Sequence, residues 1–272
     1  TTHPPVHIKT AIFILEWFYV NTYFKVTLIF NEEKILFNID KSRVELSLHK
    51  TIESTNDFCK IAPLEKEFLV VTSDMQTKGR GRQGKKWISP AGNISFSIAY
   101  LSDTDDVPIS LIAGVISQLA ITKASEVKEI KLKWPNDLIY RNKKIGGILV
   151  EKEISGAQNK TIVGIGVNLA LDEKEPWWGD LKSFNIESSR DDILNNLIKG
   201  FFQFADGQLF NWKDSWNLHC AHKNKIIKII NNELVIDEGI FVGINSKGAL
   251  LLESEQGIKE YSSGEISIEG IY

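Results

Sequence analysis

From residue 46 to residue 220 the chain alternates short β-type apolar runs with two long amphipathic stripes. This alternation restricts the fold more than any other feature. Residues 46–48, 68–72, 93–100, 130–134, 138–140, 145–154 and 161–169 carry the β-branched content or the two-residue alternation of strands. Residues 108–125 repeat Leu111, Ile112, Val115, Ile116, Leu119 and Ala120 at helical spacing. Residues 191–206 do the same with Ile193, Leu194, Leu197, Ile198, Phe201 and Phe202. Ser54, Thr55 or Asn56 can cap a shorter helix running toward Ala62, because their side-chain oxygens accept orphan backbone N–H groups. The pattern predicts an α+β fold, a mixed β-sheet with helices packed on one face.

The flanks differ. Residues 225–230, 234–237, 240–244, 249–252 and 258–261 read as five short strands punctuated by Asn231-Asn232, Ser246-Lys247-Gly248 and Gly257, the pattern of a small barrel. Residues 26–30 and 35–39 flank Asn31-Glu32-Glu33-Lys34 and read as a hairpin. The expected division is an N-terminal appendage of unknown role at 1–45, a main domain at 46–222 and a barrel at 223–272. Residues 11–30 are rich in apolar side chains, but Glu16 and Lys25 interrupt them short of the ~20 residues a spanning helix needs. No small-residue cleavage site follows, so neither a membrane span nor a signal peptide is expected. The chain opens on Thr1 and its one methionine is Met75, so an N-terminus that is trimmed, processed or replaced is expected.

Charge and thiols exclude several classes. Lys plus Arg is 32 and Asp plus Glu is 35, a formal charge of −3, which argues against a chain built to coat nucleic acid. No pair of amphipathic helices joined by a short turn marks a helix-turn-helix reader. Cys59 and Cys220 are too few and too far apart for a disulfide framework or a zinc cage, and a reducing cytoplasm is the default. His219, Cys220 and His222 resemble a metal cluster at first sight. Without further ligands they read as a surface loop, and no metal ligands are assigned. No G-x-S-x-G elbow or Ser/His or Cys/His constellation is present.

Chemistry concentrates in four stretches. Gln76-Thr77-Lys78-Gly79-Arg80-Gly81-Arg82-Gln83-Gly84-Lys85-Lys86-Trp87 combines glycines, whose backbone N–H groups can converge on an anion, with cations that neutralise it and a flat indole. It is not a Walker loop, nor a G-x-G-x-x-G opening a helix. Taken alone, it could also be a solvated basic loop. Lys133-Trp134-Pro135-Asn136-Asp137 is a proline-fixed turn followed by Lys144-Ile145-Gly146-Gly147, which is either an aimed pocket or an ordinary basic hairpin. Gly164-Ile165-Gly166-Val167-Asn168 is either a strand that lets a ligand approach or a bulge with a capping Asn. Ser54-Thr55-Asn56 is either an N-cap or the polar end of a pocket.

In this order and spacing, the stretches resemble biotin protein ligases. The glycine-arginine loop is matched by residues 79–87 with Ser89-Pro90 and Gly92, and the K-W-P-N-D block by Lys133 to Asp137. The basic-Gly-I-L-V-E strand is matched by residues 144–151 and G-x-G-x-N by residues 164–168. Residues 248–253 and 264–267 are similar to the family's C-terminal barrel, and the resemblance runs from about 46 to 270. Lys85 and Lys86 stand where the family often has Arg, which keeps charge but not bidentate geometry. Gly146 stands where Ala is frequent.

The resemblance implies a class II synthetase-like catalytic fold followed by an SH3-like barrel, in a monofunctional ligase. Such an enzyme uses ATP and Mg²⁺ to make biotinyl-5′-AMP and passes biotin to a lysine of a biotin carboxyl carrier domain. By similarity, Ser54, Thr55, Asn56 and Gln76 face the ureido ring, and Gly147 lies against biotin. Arg80, Gly81, Arg82 and Lys144 meet the carboxylate and later the adenylate phosphate. Lys85 and Asn136 join Arg80, Arg82 and Lys144 on ATP, Trp87 stacks on adenine, and Asn168 reads its edge. Arg82, Lys144 and Asp137 carry the chemistry. No nucleic acid or membrane partner is implied, and a homodimer is open to the family. The alternatives are a lipoate- or octanoate-type transferase of the same fold and a non-catalytic biotin sensor.

Overall fold

The structure is a computed structural model, and it describes residues 29–102, 107–155, 158–172, 175–209, 211–263 and 266–269. Strand β1 (Val44–Ile52) runs parallel to β2 (Phe68–Gln76), and β2 pairs antiparallel with β3 (Ile94–Ser102). With β4 (Lys131–Lys133), β5 (Asp137–Tyr140), β6 (Lys143–Ser155) and β7 (Gln158–Val167) they form a seven-stranded mixed sheet, ordered β1-β2-β3-β7-β6-β5-β4. The helices among the described residues are α1 (Glu32–Ile35), α2 (Thr55–Ile61), α3 (Ile109–Ser125), α4 (Arg190–Ala205) and α5 (Trp212–His219). None is long and apolar enough to cross a membrane.

Alternation along the strands decides where the helices go. Phe68 and Val70 enter the main core, while Leu69 and Val71 point the other way and join Cys59, Ala99 and Ile162. The long helices α3 and α4 share the main face, where Phe202 stacks on Phe68 with ring centroids 4.9 Å apart. Each such buried aromatic or aliphatic side chain contributes roughly 1.5–3 kcal/mol. The opposite face needs cover too, and α2 supplies it, so the helices are not confined to one side as expected.

The C-terminal unit is a five-stranded antiparallel sheet of the SH3-like barrel type. It consists of β8 (Ile226–Asn231), β9 (Leu234–Ile244), β10 (Leu250–Ser254), β11 (Gly257–Tyr261) and β12 (Ile266–Glu269), ordered β11-β10-β9-β8-β12. The two strands expected at 234–237 and 240–244 are one, because a register shift opposite Ile229 and Ile230 carries the ladder through. Strand β12 was not expected. Its apolar residues Ile266 and Ile268 are buried, and the preceding Gly264 and Glu265 lie outside the described residues. Ile229, Phe241 and Leu252 belong to the same apolar cluster as the main sheet, so barrel and sheet share one core.

Two further expectations are corrected. Residues 1–28 lie outside the described residues, but the 35–39 arm of the expected hairpin is not a strand. The Asn31 side chain accepts the Lys34 N–H at 3.0 Å and caps the short helix α1. Phe30, Ile35, Leu36 and Ile39 are buried in the main core, so from residue 30 this segment is integral rather than appended. His222 is not on a surface loop. It is fully buried, its Nε2 accepts the Trp134 N–H at 2.8 Å, and its ring lies 4.9 Å from that of Phe241.

Candidate active site

The four chemistry-bearing stretches are far apart in sequence, yet they line one cavity of about 470 Å³ over the glycine-rich part of β6 and β7. That size suits a small-molecule site. All the residues expected to bind or react line it: Ser54, Thr55, Asn56 and Gln76 at one end, the loop residues Arg80, Gly81, Arg82, Lys85 and Trp87, then Asn136, Asp137, Lys144, Gly147 and Asn168.

The first end is polar, buried and tightly wired. Ser54 caps α2 by accepting the Asp57 N–H, which turns Thr55 and Asn56 inward, both under 5% exposed. Gln76 Oε1 accepts from the Thr55 N–H at 2.8 Å and from its hydroxyl at 3.1 Å. Ser97 Oγ lies 2.7 Å from Thr55 Oγ1 and 2.6 Å from Asn56 Oδ1. Gly164 makes room for this arrangement, since a Cβ there would collide with the Asn56 amide.

The loop is closed on itself. The Gly81 N–H donates to Lys85 O at 2.7 Å and the Trp87 N–H to Gly79 O at 2.9 Å. Trp87 lies flat on β7, where a Cβ on Gly166 would sit 2.5 Å from its ring. The arginine head groups depart from expectation. Arg80 Nη1 donates to Glu151 Oε1 and Nη2 to Glu151 Oε2, each at 3.0 Å, and Nη2 also meets Asp57 Oδ1 at 2.5 Å. Those hydrogen bonds raise the Arg80 pKa above its ordinary value. A guanidinium committed to two carboxylates is not turned to an anion in the cavity. Arg82 donates to the carbonyls of Ser263 and Ile266 in the C-terminal unit, and burial lowers its pKa against the pull of Asp137.

The far wall carries opposed charges. Lys144 Nζ lies 2.6 Å from Asp137 Oδ1, with side-chain exposures of 18% and 13%, and 5.7 Å from the Trp87 ring centroid. Asn136 clamps its turn to β6: its carbonyl accepts the Ile148 N–H at 2.9 Å and its amide donates to Ile148 O at 2.8 Å. The Asn168 amide likewise donates to Gly179 O at 3.0 Å.

Several lining residues were not singled out. Lys133 heads the K-W-P-N-D turn, where nothing in the local sequence marks it as buried. It is 8% exposed, and burial pushes its ammonium down to about 8 although Asp137 opposes the shift. Its cross-strand partner is Asp137, the register that carries both into the wall. Trp177 and Trp178 join the rim because Lys144 N–H donates to Trp177 O at 2.9 Å. A tryptophan pair in a polar segment carried no periodic signal. Ile268 and Glu269 come from β12, which was itself missed.

A family model described as "Biotin/lipoate A/B protein ligase family" matches residues 47–168, and one described as "Biotin protein ligase C terminal domain" matches residues 222–268. The chain is 30% identical over 254 residues to the Bifunctional ligase/repressor BirA of Escherichia coli strain K12, covering 88% of this chain and 78% of that one. It is 28% identical over 237 residues to the Biotin--[acetyl-CoA-carboxylase] ligase of Paracoccus denitrificans, covering 80% of this chain and 98% of that one. Among solved structures, the biotin protein ligase of Aquifex aeolicus in complex with biotin and ATP superposes with a TM-score of 0.68 at 26% identity, covering 84% of this chain and 98% of that one. Two matching domain models in order, a relative of this extent and one shared cavity lead to a single assignment: the chain belongs to the biotin protein ligase family.

Proposed function

We propose that the chain activates biotin with ATP to biotinyl-5′-AMP and transfers the biotinyl group to a lysine of a biotin carboxyl carrier domain. The observation that carries this reading is one cavity with a neutral hydrogen-bonding end at Thr55, Asn56 and Gln76 and a cation-rich end at Lys85, Lys133 and Lys144. The ureido ring offers a carbonyl and two N–H groups to the first end. A dithiolane ring offers none, so it would shield that polar end from water without a hydrogen bond in return, which disfavours lipoate.

In the first step a biotin carboxylate oxygen attacks the α-phosphorus of ATP, and the bond to pyrophosphate breaks. In the second the acceptor amine attacks the acyl carbon, AMP leaves, and the amine gives up a proton. No covalent enzyme intermediate is needed, so this chain contributes position and charge. Lys85, Lys133 and Lys144 neutralise the phosphates and the carboxylate, with Arg82 at the boundary with the barrel. Trp87 stacks on adenine and Asn168 faces its edge. Asp137, beside Lys144, is the group that meets the incoming amine.

Among the described residues no three His, Cys, Asp or Glu side chains cluster as a metal site. Asp137 and Glu269 are the carboxylates lining the cavity, and Mg²⁺ held mainly by substrate phosphates suits that sparse donor set. It would neutralise phosphate charge. Both cysteines, Cys59 and Cys220, are free, in keeping with work in the cytoplasm.

The test is incubation of the chain with a biotin carboxyl carrier domain, biotin, ATP and Mg²⁺, followed by mass spectrometry of the carrier. One biotinyl group on its lysine is expected, and an unmodified carrier overturns the reading. Calorimetric titration with biotin and with lipoate separates the two substrates.

A further inference from the structure

We propose that Glu151 is a positioning residue: through Arg80 it latches the glycine-rich loop to the same amide, Asn56, that orients biotin's ring. This rests on the ligase reading above. Glu151 itself does not line the cavity. It stands on β6, seven residues beyond Lys144, with a side chain 19% exposed. Its two oxygens receive four donors. Oε1 accepts from Lys60 Nζ at 2.8 Å and from Arg80 Nη1 at 3.0 Å. Oε2 accepts from Asn56 Nδ2 at 2.8 Å and from Arg80 Nη2 at 3.0 Å. That fills the roughly four lone-pair directions of a carboxylate. Burial pushes its pKa up, but the bonds from Lys60, Arg80 and Asn56 outweigh burial and hold it below the ordinary carboxylate range.

Two consequences follow from this one group. Asn56 is fixed in amide orientation: Nδ2 faces Glu151, so Oδ1 is left toward Ser97 and the cavity. The loop is fixed at its first cation. Arg80 lies between Gly79 and Gly81, and the bonds Gly81 N to Lys85 O and Trp87 N to Gly79 O tie the rest of the loop to that anchor. Arg80 therefore ties the loop that carries Arg82, Lys85 and Trp87 to helix α2 and strand β6. The bidentate, charge-assisted geometry is the strong form of such a contact. Asp57 shares Arg80 from α2, so the latch joins helix, strand and loop.

The test uses the full chain with Glu151→Gln, Glu151→Ala, Arg80→Met and the double variant Arg80→Met with Glu151→Gln. The readouts are the release rate of preformed biotinyl-5′-AMP, the biotin KM and the thermal midpoint. Gln keeps an oxygen for the Asn56 amide but no charge for Arg80. Glu151→Gln is therefore expected to speed adenylate release about tenfold, equivalent to about 1.4 kcal/mol, while leaving the biotin KM within about twofold. Glu151→Ala is expected to change both. The double variant is expected to release no faster than Arg80→Met alone. Release at the wild-type rate in Glu151→Gln, or effects of the two substitutions that multiply, overturns the proposal. Arg80 is on the loop rather than in the core, so Arg80→Met reads the latch even if Glu151→Ala does not fold. If the wild-type chain forms no adenylate, the ligase reading has failed instead.

Discussion

The backbone N–H of Trp134 donates to Nε2 of His222 at 2.8 Å, across 88 residues of sequence. The same Trp134 sends its indole N–H to Gly248 O in the barrel at 3.0 Å. The turn that carries Asn136 and Asp137 into the cavity is thus held from behind by the C-terminal unit. Its front is held by β6 through Ile148.

This contact makes stability depend on pH in one direction. Burial pushes the His222 pKa down from 6.5 to about 3, with the charges of Lys133 and Lys225 adding to it. An unfolded chain binds a proton there below about 6.5, and the folded chain does not until about 3. The stabilisation is therefore full above 6.5 and is lost as pH falls from 6.5 toward 3, with a slope approaching ~1.4 kcal/mol per pH unit. Denaturant unfolding between pH 7.5 and 4.5 checks this. His222→Gln keeps an acceptor for Trp134 and should flatten that part of the acid slope; an unchanged slope would assign it to other groups.

Lys133 gives the opposite pH signature, in activity rather than stability. Its ammonium, lowered to about 8 by burial, is charged below that pH and neutral above it. If it faces ATP phosphates, kcat/KM for ATP in adenylate formation falls as pH rises through about 8, because that ratio reports the free enzyme. Pyrophosphate release measured from pH 6.5 to 9.5 should show the falling limb in wild type. Lys133→Met should lower the plateau and remove the limb.

Asp137 and Lys144 should separate the two half-reactions. With 2.6 Å between Lys144 Nζ and Asp137 Oδ1, the pair can meet an anion through the lysine and an amine through the carboxylate. Asp137→Asn is expected to slow transfer from preformed adenylate by roughly 10²-fold, the low end for loss of a proton-accepting group. Adenylate formation should fall less. Single-turnover transfer to the carrier domain is the measurement, and equal losses in both steps would remove Asp137 from the amine step.

Much of the site was legible because its motifs are short and local. A proline turn, a glycine strand and a capped helix start each place their own residues, and those residues all reached one cavity. What was not legible depends on distant partners. The Arg80 head group is set by Glu151, 71 residues away, and that of Arg82 by carbonyls of residues 263 and 266. Local charge pattern cannot distinguish a cation aimed at a ligand from one aimed at a carboxylate. His222 sits among His219, Lys223 and Lys225 and looks solvated in sequence. It is buried because the Leu132–Trp134 segment and Phe241 close over it. Residues 30–39 looked peripheral, since their apolar side chains gain meaning only against α4, which begins 160 residues later.

Gly166 should prove to be part of the adenine site without touching adenine. It is the floor on which Trp87 lies, and a Cβ added there would stand 2.5 Å from Cε2 and Cζ2 of the indole. Backbone on β7 is paired on both sides, to β3 through Ser95 and to β6 through Gly147, so the strand cannot retreat and the indole must lift. Gly166→Ala is therefore expected to raise the KM for ATP about tenfold, within the ~1–3 kcal/mol that base–aromatic stacking contributes. The biotin KM should change much less, because Asn56 and Gln76 lie at the other end. Trp87→Ala in the Gly166→Ala background should add little further loss; an independent loss would mean that the glycine acts on something other than the indole.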